Sequence, residues 1–72
     1  MTKTKSLTIA IPLYNESETI KQLKQKLLET INNIETTELK ILLVDDGSTD
    51  NTFELLFKEF SDIDYFEIIQ HE

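Results

Sequence analysis

The feature that most constrains this chain is a short apolar run that stops abruptly at two carboxylates. The stretch from Lys40 to Asp50 reads K-I-L-L-V-D-D-G-S-T-D and contains the only glycine among the 72 residues. An apolar run this short, bounded by turn residues, predicts a strand buried on both faces. Ser48, Thr49 and Asp50 are favoured helix N-caps. A buried strand that leads through a glycine turn into a helix is typical of open α/β sheets, which bind ligands beyond the carboxyl ends of their strands.

The rest of the chain alternates strand and helix patterns. Three segments rich in β-branched and aromatic residues are predicted as strands: Leu7–Leu13, Leu39–Val44 and Tyr65–Gln70. Helical connections between them favour right-handed crossovers and parallel strands. We therefore expect an α/β fold, a three-layer β-α-β-α-β Rossmann-like half with a parallel sheet in the order 3-2-1. Pro12 has no N–H for the ladder, so the paired part of strand 1 should end near it.

Two helices are predicted from apolar residues at helical spacing. Asn15 and Glu18 have the form of a capping box, which predicts that the Asn15 side chain caps the first helix. The second helix should run from about Asp50 to Phe60 and pack its phenylalanines in the core. The predicted apolar face of the first helix is Ile20, Leu23, Leu27, Leu28, Ile31 and Ile34, and that of the second is Phe53, Leu56, Phe57 and Phe60.

Composition excludes several classes of function. The net charge is −7, from 14 acidic residues against seven lysines and no arginine, which disfavours a DNA or RNA partner. The first apolar segment is interrupted at Pro12 and Tyr14 and is too short and polar for a signal peptide or a membrane span. The absence of cysteine fits a reducing compartment, and we expect a cytoplasmic location. The length predicts one small domain, residues 1–72, with a polar leader over residues 1–6.

Two groups of side chains that suit a nucleoside follow adjacent strands. Pro12–Glu16 comes after strand 1 and Val44–Ser48 after strand 2, so both should face the same crevice. An aromatic ring can cover the face of a base, while a carboxylate accepts a hydrogen bond from a base N–H or a ribose hydroxyl.

The two motifs together resemble a known family. I-P-L-Y-N-E, followed one helix later by L-L-V-D-D-G-S-T-D-N-T, is similar to the N-terminal segment of family 2 glycosyltransferases, nucleotide-sugar enzymes with the GT-A fold. The resemblance covers Leu7 to Gln70 and is closest to the dolichol-phosphate mannosyltransferase-like and bacterial polysaccharide branches. It implies part of a GT-A fold, in an enzyme that transfers a sugar from a UDP- or GDP-type donor to an acceptor, at the cytoplasmic membrane face. The implied partner is a nucleotide-diphosphate sugar.

The resemblance also implies roles for individual residues. The residues implied to bind the nucleotide sugar are Pro12, Tyr14, Glu16, Val44 and Asp46. Pro12 and Tyr14 would line the base pocket, and Asp46 would hydrogen-bond the base or the ribose. Glu16 would reach the nucleoside, and Val44 would pack near the base. Supporting roles are implied for Asn15, Asp45, Gly47 and Ser48.

The catalytic parts of the family are expected outside these 72 residues. Its metal-binding Asp-x-Asp, its acceptor site and its general base all follow a further strand. We therefore expect no catalytic residue and no metal ligand here, Mg²⁺ or Mn²⁺ in the complete enzyme, and no transfer by this segment alone. Asp62-Ile63-Asp64 matches Asp-x-Asp but precedes strand 3, at the opposite end of the sheet, and is interpreted as a solvated turn. His71 is interpreted as part of a tail.

Two alternatives remain open. I-L-L-V-D-D also resembles the opening of response-regulator receiver domains, although a phosphorylated Asp ends the third strand there and the predicted third strand here has none. The other alternative is a non-catalytic fragment or assembly module. Strand 1 lies at the sheet edge, and an exposed apolar edge favours pairing with a second copy.

Overall fold

Three strands and two helices alternate along the chain in the computed structural model, which describes residues 6–34 and 38–71. The elements are β1 (Ser6–Leu13), α1 (Ile20–Ile31), β2 (Glu38–Asp46), α2 (Thr52–Phe60) and β3 (Phe66–His71), with a 3₁₀ turn (Ser17–Thr19) before α1. The predicted elements are all present, with β3 displaced by one residue. Ser6 belongs to β1 rather than to the predicted leader. Residues 1–5 of that leader and residues 35–37 of the connection before β2 lie outside the described residues.

The sheet is parallel, with the strands in the order β1-β2-β3. This is the predicted order, viewed from the opposite edge. The ladder between β1 and β2 ends at the pair Leu13 and Asp45, one residue after Pro12, as expected for a residue without an N–H. The α/β class and the parallel half-sheet are therefore confirmed.

The described residues form two layers instead of the predicted three. When strand order follows chain order, two crossovers of the same hand place both helices on the same face of the sheet. One buried cluster accordingly contains side chains from both helices and all three strands: Leu13, Ile20, Ile41, Leu43, Leu56, Phe60 and Phe66. Lys24 of α1 connects the helices, since its Nζ lies 3.5 Å from the Glu59 carboxylate and 6.0 Å from the centre of the Phe60 ring.

Strand β2 is fully buried on one face only, which corrects the prediction of burial on both. Ile41 and Leu43 are fully buried against the helices, whereas Leu42 and Val44 are half-buried. Side chains alternate between the two faces of a strand, so the register assigns each residue to a face. The face away from the helices, called the open face below, carries Ala10, Pro12, Leu42, Val44, Asp46, Ile69 and His71.

The buried side of α2 also differs from the predicted one. Thr52, Leu56 and Phe60 are fully buried, but 58% of Phe57 is exposed. The prediction that Phe57 packs in the core is wrong, because the buried residues follow one another at intervals of four and Phe57 lies beside that line. Helix α1 ends at Ile31, so Ile34 lies beyond the helix to which it was assigned. None of the helices among the described residues is long and apolar enough to cross a membrane.

Candidate functional site

The two acids at the end of β2 lie on opposite faces of the sheet. Asp45 is fully buried on the helix face, where its Oδ1 accepts a hydrogen bond from the Ser48 N–H at 3.3 Å. Its Oδ2 is buried and has no hydrogen-bond partner among the described residues. Asp46, the next residue, is exposed on the open face. Only Asp46 of this pair is therefore accessible to a ligand.

The chain leaves β2 through a tight turn at Gly47. The glycine has a φ of 75°, in the left-handed region that a residue without Cβ occupies at no steric cost. The hydrogen bond from the Ser48 N–H to Asp45 closes this turn three residues after the buried acid. The buried acid thus orders the turn, and the exposed acid stands at its start.

Asn15 joins the loop after β1 to the loop after β2. Its backbone N–H donates to Ser48 Oγ at 2.8 Å, and its Oδ1 accepts hydrogen bonds from the N–H groups of Thr49 at 2.8 Å and Asp50 at 3.3 Å. The Thr49 hydroxyl lies 3.4 Å from the same oxygen. Asn15 has a φ of 51°, a conformation that asparagine tolerates better than most residues. These bonds are called the Asn15 clamp below.

The prediction that Asn15 caps the first helix is wrong. The residue before the 3₁₀ turn is Glu16 and the residue before α1 is Thr19, and neither makes a side-chain capping bond. The amide oxygen that a capping box would use accepts from the second loop instead. A capping motif describes only local sequence, whereas the carboxyl ends of parallel neighbouring strands bring distant loops together.

A second set of bonds connects the two loops at the start of α2. The Glu16 N–H donates to Thr52 Oγ1 at 2.9 Å, and the Ser17 N–H donates to Asp50 Oδ2 at 3.4 Å. Asp50 Oδ1 accepts from the Thr52 N–H at 2.9 Å and also from the Thr52 hydroxyl. No role in joining the loops was predicted for Asp50 or Thr52. The signal available in the sequence is their spacing of two, which is typical of a side-chain turn at a helix start.

The same contacts stabilise the charged form of Asp50. The hydrogen bond from the Thr52 hydroxyl is the largest cause that lowers the pKa of Asp50 below its ordinary value. Desolvation opposes it, while the Thr52 N–H and Ser17 act in the lowering direction. The charged carboxylate is the form that accepts all of these hydrogen bonds.

The predicted nucleotide-binding residues lie at one end of the sheet. Tyr14 directly follows Leu13 at the end of β1 and is 55% exposed. Pro12 and Val44 are register partners on the open face. Pro12 lies one residue before Leu13, where the ladder between β1 and β2 ends, and Val44 lies two residues before Asp46, where β2 ends. Glu16 is exposed, and its Oε1 accepts a hydrogen bond from the Thr19 hydroxyl at 3.1 Å. Their roles in binding stay predictions.

His71 is not a tail residue. It ends β3 as the register partner of Asp46, and its Nδ1 lies 3.0 Å from Asp46 Oδ1. The side chains of His71 and Asp46 are 70% and 60% exposed. The predicted strand stopped at Gln70, one residue too early. Extending its alternation by one position places His71 on the same face as Ile69, which is the signal that could have identified it.

The described residues do not fit the metal ion that the resemblance implies for the complete enzyme. Within residues 6–34 and 38–71, no group of three or more His, Cys, Asp or Glu side chains could hold a metal ion. Asp62 and Asp64 are exposed in the turn before β3, at the opposite end of the sheet from Asp46. No chemical step is therefore assigned to a metal ion on these residues.

Comparison with known proteins gives one matching family and several relatives. The sequence profile of the family described as Glycosyl transferase family 2 matches residues 8–72. The undecaprenyl-phosphate 4-deoxy-4-formamido-L-arabinose transferase of Proteus mirabilis is 37% identical over 54 residues, which cover 75% of this chain and 16% of that protein. A protein of the same name from Yersinia enterocolitica is 43% identical over 54 residues, again 75% of this chain and 16% of the relative.

A third relative comes from a different group of bacteria. The uncharacterized glycosyltransferase YkoT of Bacillus subtilis is 38% identical over 58 residues, which cover 74% of this chain and 17% of that protein. The chain thus spans about a sixth of the length of these relatives. No solved structure matches it.

Removing the Asn15 side chain should destabilise the fold through the two loops. We expect Asn15→Ala to lower the free energy of unfolding by about 0.5–1.5 kcal/mol, the net value of a hydrogen bond, because the exposed Thr49 and Asp50 N–H groups lose their acceptor and bond to water instead. Asn15→Gly should lose the same hydrogen bonds but destabilise the fold less than Asn15→Ala, because glycine adopts a positive φ without strain. Asn51→Ala is the matched control, since Asn51 is exposed in the same loop and makes no side-chain capping bond. Urea denaturation measures all three variants, and equal effects of Asn15→Ala and Asn51→Ala would contradict the clamp.

Acid should remove the contribution of Asp50 to stability. Because the folded state lowers the pKa of Asp50, this contribution is present above the ordinary aspartate value of about 4 and disappears as the pH falls through the lower, folded value. We expect the difference in unfolding free energy between the wild type and Asp50→Asn to shrink between pH 5 and pH 2. Urea denaturation across this range measures it, with Asp62→Asn as the exposed control. A difference that stays constant with pH would contradict the assignment.

Proposed function

The chain belongs to glycosyl transferase family 2, and from this we propose that it forms the nucleotide-sugar-binding portion of an enzyme that transfers a sugar from a UDP- or GDP-type donor to an acceptor. The observation that carries the proposal is the Asn15 clamp, which joins the loop containing Tyr14 to the loop that follows Asp46 by direct hydrogen bonds. An exposed aromatic ring and an exposed carboxylate therefore lie at the same end of the sheet, with Tyr14 in one of the two connected loops and Asp46 directly before the other.

Each exposed group at this end has a chemical use for a nucleotide. Tyr14 offers a ring on which a base can stack, and Asp46 offers an acceptor for a base N–H or a ribose hydroxyl. Pro12 and Val44 supply adjacent apolar surface on the open face. A chain with a net charge of −7 repels a diphosphate, so we expect binding by this segment alone to be weak. We expect no sugar transfer by this segment alone, because the resemblance assigns the metal ligands and the general base of the family to later residues.

The proposal extends to the complete protein by analogy with its relatives. The Proteus and Yersinia proteins carry undecaprenyl phosphate, a lipid, in their names. We propose a lipid phosphate acceptor of this kind, and thus action at the cytoplasmic face of the membrane, for the complete protein. We also propose that Mg²⁺ or Mn²⁺ offsets the charge of the departing diphosphate there. Among the described residues, no group of three or more His, Cys, Asp or Glu side chains could hold this ion.

A specific observation favours a second candidate function, assembly through the free edge of β1. Among the described residues β1 pairs only with β2, which leaves the backbone groups along its other edge without a strand. Ser6–Leu13 contains no charged residue, so two copies of an otherwise acidic chain could approach along it. A receiver-like function is not proposed, because β3 contains no aspartate.

Nucleotide titration tests the first candidate. We expect UDP or GDP, with and without Mg²⁺ or Mn²⁺, to shift the backbone NMR signals of residues 12–16 and 44–48 of the labelled chain. Tyr14→Ala should weaken the affinity about tenfold, the value of one base stacked on an aromatic ring. Phe57→Ala is its matched control, because Phe57 is an equally exposed aromatic residue on α2. Asp46→Asn should also weaken binding, because it removes the charge of the proposed acceptor. Asp64→Asn is its matched control, since Asp64 is an exposed acid in the turn before β3.

The titration has two clear negative outcomes. A folded chain that responds to neither nucleotide would contradict the proposed binding site. Shifts that are as sensitive to Phe57→Ala as to Tyr14→Ala would show that binding, if present, lies elsewhere on the surface.

Sedimentation at several concentrations tests assembly. We expect a dimer that forms with increasing concentration and is weakened by Ala10→Lys, since a charge on an edge strand opposes pairing. Lys21→Ala on the exposed side of α1 is the control. A folded chain that stays monomeric throughout would contradict the second candidate.

A further inference from the structure

We propose that His71 is a positioning residue of the nucleotide site, which holds the Asp46 carboxylate in the orientation that accepts a hydrogen bond from the base or the ribose. The inference rests on the proposed function and adds to it a residue from a third strand. Its starting point is the pair itself, with His71 Nδ1 3.0 Å from Asp46 Oδ1.

The pairing follows from the sheet rather than from two flexible side chains meeting by chance. Asp46 and His71 are the last residues of β2 and β3, and they are register partners on the open face. Side chains of paired residues on one face are near neighbours. The backbone ladder therefore fixes the positions of both residues that make the contact.

No cation among the described residues competes for Asp46. Lys40 lies on the same face but six residues earlier on β2, about 20 Å away in an extended strand. Its Nζ is 3.3 Å from the Glu67 carboxylate, which gives that lysine a partner of its own. Within the described part of the chain, His71 is the only side chain paired with Asp46.

The chemistry of the pair leaves Asp46 free to bind. An ionised carboxylate only accepts hydrogen bonds, so the contact requires a proton on His71 Nδ1. One lone pair of Oδ1 is then occupied, while Oδ2 remains open to a ligand. An exposed carboxylate without such a partner samples several rotamers, and ordering it on binding reduces the affinity. His71 removes part of that cost in advance.

Two amide substitutions separate positioning from simple packing. In asparagine the amide nitrogen occupies the place of Nδ1, bonded to Cγ, whereas in glutamine it lies one bond farther out, near the place of Nε2. We expect His71→Leu and His71→Gln to weaken UDP or GDP binding about three- to tenfold, the factor that corresponds to one hydrogen bond. His71→Asn should bind within about twofold of the wild type, because it keeps a donor at the right position.

NMR titration of the chain with UDP, and with GDP in parallel, measures these affinities at one fixed pH. Urea denaturation of each variant confirms that it is folded. The tautomer of His71, read from the nitrogen chemical shifts of the ring, provides a measurement that needs no nucleotide. We expect Nδ1 to carry the proton in the wild type and the tautomer balance to change in Asp46→Ala.

The outcomes distinguish this inference from the function on which it rests. If nucleotide binds and Tyr14→Ala weakens it, but His71→Leu binds as well as or better than the wild type, the positioning role is wrong and the proposed function stands. The positioning role is also wrong if His71→Asn binds as weakly as His71→Leu. If no nucleotide binds the wild type, both are wrong.

Discussion

The structure depends above all on one amide side chain that satisfies the backbone of a distant loop. Asn15 accepts hydrogen bonds from two consecutive N–H groups, of Thr49 and Asp50, which precede α2. Each backbone N–H is a strong hydrogen-bond donor, and here a single side-chain oxygen serves two of them. By supplying that acceptor from the end of β1, Asn15 fixes how the second loop leaves the sheet and where α2 begins. The strand ladder positions Pro12, Val44 and Asp46, and the Asn15 clamp adds the position of the loop that carries Tyr14 relative to the loop after Asp46.

Asp45 and Asp46 have different roles because successive side chains of a strand point to opposite faces of the sheet. Asp45 points toward the helices, is removed from water and closes the Gly47 turn through Ser48. Asp46 keeps most of its exposure and has a partner on β3. Buried carboxylate oxygens usually accept hydrogen bonds. Oδ2 of Asp45 is an exception at the end of β2, because it has no hydrogen-bond partner among the described residues.

The parts of this structure that the sequence predicts are those governed by local rules. Strand and helix periodicity predicts the α/β class and the strand order, and the glycine after two acids predicts the turn. The errors concern contacts between elements. Asn15 matches a capping box, yet its partners come from a loop 33 residues away. Phe57 matches the helical stripe, yet the orientation of α2 depends on Thr52, which the first loop holds. His71 was missed because strand ends are set by pairing with a neighbour.

Because side chains alternate along β2, the number of residues between Ile41 and Asp45 determines which face each acid occupies. Inserting or deleting one residue between Ile41 and Asp45 would turn every following side chain to the other face and exchange the buried and exposed acids. A change of two residues would restore the faces but move the acids by about 6.6 Å along the strand, away from the Asn15 clamp. The segment from Ile41 to Asp45 therefore tolerates substitutions but not insertions or deletions. The turn between α2 and β3 carries no such parity, because its residues do not alternate between the faces of the sheet.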